Sequence, residues 1–149
     1  MPFPDHTNKP SQPALSIRQP WAELILSGRK TIEIRTWSTS YRGPLWLHAG
    51  RKEDPELQRY FKLRNLFHGG FVGQAVISSV LRLDKDRWER WRYLHLSEGP
   101  MPPEVYGWVL RDPNRFARPL PAPGSLGLFI PPPESQRALR EATSGQETQ

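Results

Sequence analysis

The amino-acid sequence predicts an α+β fold, a small and mostly antiparallel β-barrel with two or three short helices around a cleft. Three observations predict it. Five to seven short segments read as strands, by alternation or as compact apolar runs. Only two or three segments, all short, carry helical spacing. The length of 149 residues suits one domain, enough to bury about 68–70% of the unfolded chain's surface.

Ala14 to Ile17 reads as a short strand. Pro20 suits a first helical position, Trp21, Leu24 and Ile25 form an apolar stripe, and Gly28 suits the residue after a helix. One amphipathic helix therefore spans Pro20 to Ser27. Lys30 to Thr36 alternates, with Ile32 and Ile34 on one face and Thr31, Glu33 and Arg35 on the other. Tyr41-Arg42-Gly43-Pro44 is a turn, and Leu45, Leu47 and Ala49 alternate with Trp46 and His48 in the next strand.

Asp54-Pro55 reads as an N-cap and first helical residue, opening a helix to about Leu66 that Gly69-Gly70 ends. Phe71 to Leu83 is the longest strand and Asp86 to Leu94 a short helix. Tyr106 to Leu110 is a strand, Asp112-Pro113-Asn114 a turn and Phe116 to Leu120 an extended segment. Leu126 to Ile130 closes the series. Residues 1–13 hold four prolines, and 131–149 open on three more and turn polar. Both ends are expected to be flexible, with the folded domain at 14–130.

The absence of cysteine excludes disulfides, thiolate metal sites and a cysteine nucleophile. No run approaches the roughly 20 apolar residues of a membrane helix, and the N-terminus has no secretory pattern, so a cytoplasmic protein is expected. The 21 basic residues comprise 16 Arg and 5 Lys against 15 acidic ones, a net charge of +6. Ten basic and five acidic residues fall between Ala14 and Arg64, so the excess sits in the first half of the domain. That favours an anionic partner, with nucleic acid foremost.

The informative segment is Leu15 to Gly50. Within it, Gly28-x-Lys30-x-x-Glu33-x-Arg35 ends a helix and starts a strand at once. With Ile32 and Ile34 in the core, Lys30, Thr31, Glu33 and Arg35 would border a cleft at the helix–strand junction. A carboxylate between two cations stays ionised and can orient a ligand, activate water or simply fix the cations. A solvated face of weak ion pairs is the plainer reading.

Gly28-x-Lys30-x-x-Glu33-x-Arg35 resembles the signature of the ASCH (activating signal cointegrator homology) domain, of the PUA-like superfamily. The resemblance to its cointegrator-related branch continues in Leu15-Ser16-Ile17-Arg18-Gln19-Pro20-Trp21-Ala22, Arg35-x-Trp37, Tyr41-Arg42-Gly43 and Leu45-Trp46-Leu47-His48-Ala49. It reaches Tyr106-Gly107-Trp108-Val109-Leu110 and Gly124-x-Leu126-Gly127-Leu128-Phe129. This resemblance implies a PUA-like barrel that receives RNA or one exposed nucleotide between barrel and helices. Some relatives hydrolyse the acetyl amide of N4-acetylcytidine, a lysine matching Lys30 activating a threonine three residues later, with a distant glutamate assisting. Here that threonine position is Glu33, and a carboxylate cannot replace a hydroxyl as acyl acceptor without changing the mechanism. Glu98 and Glu104 fall in the region of the assisting glutamate.

The expected nucleic-acid-binding residues are therefore Arg18, Lys30, Thr31, Glu33, Arg35, Trp37 and Arg42. Arg18 and Arg42 would contact phosphates and Trp37 stack on a base or pack in the core. Arg29, Arg51 and Lys52 lie at nearby element ends, Lys52 reading as a solubilising charge. Trp21 and Trp46 read as core, Trp88 and Trp91 as pinning a helix to the barrel. His48 reads as a satisfied barrel histidine or a ligand contact. No metal site, cofactor motif or Ser/His/Asp arrangement is visible. The leading expectation is a module binding RNA or an exposed, modified or unmodified, nucleotide. The first alternative is a hydrolase of a modified nucleoside or RNA with Lys30 and Glu33 as catalytic residues. The second is a protein-interaction module in transcription.

Overall fold

The computed structural model describes residues 11–147, so of the N-terminal segment expected to be flexible, residues 1–10 lie outside it. The elements are β1 (Ala14–Ile17), α1 (Trp21–Leu26), β2 (Ile32–Arg35), β3 (Gly43–Ala49), α2 (Pro55–Tyr60), β4 (Gly70–Arg82), α3 (Lys85–Arg90), α4 (Arg92–His95), β5 (Tyr106–Pro121), β6 (Leu128–Phe129) and α5 (Pro133–Glu147). The strands form one six-stranded sheet in the order β2-β5-β4-β3-β1-β6. All neighbours are antiparallel except β1 and β3. The sheet curls into a half-barrel, the expected PUA-like α+β class. Arg35 of the edge strand β2 donates from Nη2 to the Ser16 carbonyl of β1, the neighbour of the other edge strand β6, at 2.9 Å.

Alternation along the strands divides the core. Leu15 and Ile17 of β1, Leu45, Leu47 and Ala49 of β3 and Trp108 of β5 pack with Ala22, Ile25 and Leu26 of α1 on the inner face. Ala14, Trp46, Phe71 and Phe116 point the other way and pack under α5 around Leu139. A third cluster, Leu83, Trp88 and Val105, seats α3 and takes in Ile34. Asp54 accepts from the Leu57 N–H and Asp84 from the Arg87 N–H, capping α2 and α3.

Three expectations are corrected. Residues 133–147, read as a flexible tail, form α5, because Leu139 and Ala142 supply an apolar stripe to the outer cluster. Asp112-Pro113-Asn114 does not end a strand: β5 runs through it, with register shifts against β4 and Asp112 at φ 51° taking up the irregularity. The Asp86 to Leu94 helix divides at Trp91 into α3 and α4.

Candidate functional site

The two faces of β2 are the reverse of the sequence-based expectation. Glu33 pairs across the ladder with Trp108 and Ile34 with Gly107. Residues opposed in this way share a face, so Glu33 lies on the inner face with Trp108. Ile34 instead packs against the cluster beneath α3. Both faces of β2 are thus covered, and alternation alone cannot say which cover is the main core.

Lys30 and Glu33 are 2% and 6% exposed. Lys30 Nζ donates to the His95 carbonyl at 2.6 Å, lies 3.7 Å from Glu33 Oε1 and sits 4.7 Å above the Trp21 ring. Glu33 Oε2 accepts from Arg35 Nε at 2.9 Å. Burial pushes the Lys30 ammonium below its ordinary value; Glu33 opposes the shift and Arg35 adds to it. The predicted triad does converge, but as a buried network in which each oxygen of Glu33 faces a cation. A carboxylate so engaged ties β2 to the residues around it.

The other expected site residues are dispersed. Thr31 bridges elements through its backbone, its N–H donating to Leu94 and its carbonyl accepting from Leu110. With Lys30, Ile25 and Leu110 it lines a cavity of about 310 Å³. Trp37 is half-buried, its ring edge-on to Trp108 at 4.8 Å and its carbonyl accepting from Trp108 Nε1 at 3.2 Å. It is a packing residue in this arrangement. Arg42 folds onto its own turn, donating to the carbonyls of Thr39 and Tyr41 at 2.7 and 2.9 Å. Arg18 is exposed, and its side chain makes no hydrogen bond or ion pair to another described residue.

Two further concavities lie among the described residues. A cleft of about 520 Å³ is lined by Trp21, Tyr60 and Phe61 together with Asp54, Glu56 and Glu98. Glu98 accepts from the Tyr60 hydroxyl across this cleft, whereas Glu104 accepts from Tyr106. Its ionisable lining is acidic, an unfavourable surface for a phosphate chain. The second, of about 470 Å³, is lined by Ser16, His48, Gly50, Arg51, Pro123, Gly124, Ser125 and Leu126. Its one ionic side chain is the exposed Arg51. The parallel β1–β3 pair positions it: Ile17 is opposite Ala49 and Gly50 N–H donates to the Ile17 carbonyl, so both strands end together. Arg18 follows β1 and Arg51 follows β3, at the same end.

The same register places Ser16 opposite His48. His48 Nε2 lies 2.8 Å from the Ala122 carbonyl, which only accepts, so Nε2 carries the proton. Nδ1 then accepts from Ser16 Oγ at 3.1 Å. Burial, foremost, pushes the His48 imidazole below its ordinary value, and nearby Arg51 adds to the shift, so the ring is neutral at physiological pH. A Cβ at Gly124 would lie 2.4 Å from Ser16 Oγ and 2.6 Å from His48 Cε1. Only glycine allows that loop to approach. The sequence shows Ser16, His48 and Gly124 far apart, and the parallel register that joins them has no local signal.

The ASCH domain family model matches residues 15–117. The chain belongs to the ASCH domain family. Activating signal cointegrator 1 from Homo sapiens and from Mus musculus is each 44% identical to it over 54 residues, 33% of this chain. The chain spans 9% of the length of these curated relatives. Crystal structures of ASCH from Zymomonas mobilis are similar in fold. One superimposes with a TM-score of 0.65 at 17% identity over 88% of this chain and 94% of that one. A point variant gives 0.64 at 18% identity over 88% and 97%. This ASCH domain therefore has the PUA-like fold, and no described helix is long and apolar enough to cross a membrane.

Proposed function

We propose that this ASCH domain is a nucleic-acid-binding module that takes single-stranded RNA, or one exposed nucleotide, at the end of the β1–β3 pair. The observation that carries the reading is the contrast between the two concavities. The one holding Arg51, beside Arg18, has no acidic lining residue, whereas the larger cleft presents Asp54, Glu56 and Glu98. Arg18 and Arg51 contact phosphates, and the 470 Å³ hollow, within the usual 300–1,000 Å³ of ligand sites, receives a nucleotide. Lys30, Glu33 and Arg35 act as positioning residues: Arg35 ties β2 to the Ser16 carbonyl and so fixes the strand that carries the site. Thr31, Trp37 and Arg42 support the framework without contacting ligand.

Fluorescence anisotropy with a short single-stranded RNA tests this. Affinity is expected to fall linearly with salt on logarithmic axes, and Arg51→Ala to reduce the slope by about 0.7, one released counterion on a single strand. An unchanged slope in Arg51→Ala and in Arg18→Ala would contradict the assignment.

A further inference from the structure

We propose that Ser16 and His48 form a nucleophile–base pair that hydrolyses an O-acyl ester carried by a phosphate-bearing sugar. The substrate class rests on the reading of the preceding subsection; the chemistry of the pair does not.

The parts of an acyl-transfer site meet here without having been assigned to it. Ser16 Oγ is held 3.1 Å from an imidazole nitrogen whose tautomer is fixed by the Ala122 carbonyl, so the lone pair faces the hydroxyl. The base is thus oriented by a third group, the arrangement that activates a serine. Burial, which lowers the His48 value, keeps the ring neutral, so the Nδ1 lone pair stays directed at the hydroxyl. Ser16 and His48 both line the 470 Å³ hollow, and Gly124 of the same lining packs close against them. Gly124, Ser125 and Leu126 line the same hollow, and their backbone N–H groups donate to no other described residue. Backbone donors and the Arg51 guanidinium are the groups that stabilise a developing oxyanion.

Ser16 Oγ attacks the ester carbonyl carbon as its proton passes to His48 Nδ1, and the carbonyl oxygen becomes an oxyanion. The oxyanion collapses, the bond to the sugar oxygen breaks, and that oxygen takes the proton from His48 Nδ1. Water then attacks the acyl-Ser16 carbonyl, gives a proton to His48, and releases the acid. The proton returns to Ser16 Oγ. Ester and water become carboxylic acid and alcohol, with no redox change. Arg51 in the lining, with Arg18 following β1 at the same end of the strand pair, favours an alcohol that carries phosphate, which makes the substrate an O-acylated nucleotide or RNA end.

The full chain is incubated with 4-nitrophenyl acetate and, separately, with a 3′-O-acetylated RNA oligonucleotide, then quenched in acid for peptide mass spectrometry. An acetyl group on Ser16 and turnover of the oligonucleotide are expected. Ser16→Ala abolishes the adduct, and His48→Gln lowers turnover by about 10²–10⁴-fold. Thermal melting shows whether each variant folds, and RNA anisotropy whether it still binds. Ser78→Ala, distant from the hollow, retains full turnover. Absence of acetyl-Ser16 in the folded wild-type chain, or undiminished turnover in folded Ser16→Ala, overturns the pair whatever the RNA binding. Acetylation of Ser16 by 4-nitrophenyl acetate without RNA binding or oligonucleotide turnover upholds the pair and overturns the phosphate-bearing substrate.

Discussion

Glu33 illustrates how one side chain can be read correctly for its partners and wrongly for its surroundings. Its two oxygens face Lys30 and Arg35, and its side chain is 8% exposed. Glu33→Gln leaves both cations in place without the acid between them. The expected cost is about 3–5 kcal/mol of stability, the penalty of breaking a buried pair, measured as a shift in the urea midpoint. A loss below about 0.5 kcal/mol would mean the network is solvated. The pairing is visible in the sequence, since i and i+2 on a strand share a face and Lys30 is one turn of chain away. The face is not. A period of two names two sides and assigns neither to the core, and Ile34 had a second, smaller core beneath α3 to enter.

Elements show where local signals end. The Asp54 cap, Gly28 after α1 and the alternation of β3 are consequences of single residues or short spacing, and all appear as their chemistry requires. β5 is different. A proline between Asp112 and Asn114 reads as a turn, yet the long β4 partner carries the ladder across it with shifted register. In α5 the polar composition conceals a short apolar stripe whose value depends on Trp46, Phe71 and Phe116 being gathered beneath it. Leu139 is fully buried there, so Leu139→Ala is expected to cost about 2–5 kcal/mol in chemical denaturation. A near-neutral result would place α5 outside the cooperative unit.

Across the molecule, the curl of the sheet decides which charges matter. The excess of cations in the first half of the domain was evident from composition, but composition cannot separate buried from exposed charge. Folding withdraws Lys30 into the interior, leaves Arg18 and Arg51 exposed at one end of the β1–β3 pair, and sets three acids in the larger cleft. The Ser16–His48 contact arises at the same scale, from a parallel pairing of strands separated by a helix and another strand. Amide NMR during titration with a short single-stranded RNA tests the location of binding most directly. Shifts centred on Arg18, Gly50, Arg51 and Gly124 to Leu126 are expected. Shifts centred instead on Asp54 to Phe61 and Leu96 to Gly99 would place the nucleotide in the acidic cleft and contradict the assignment.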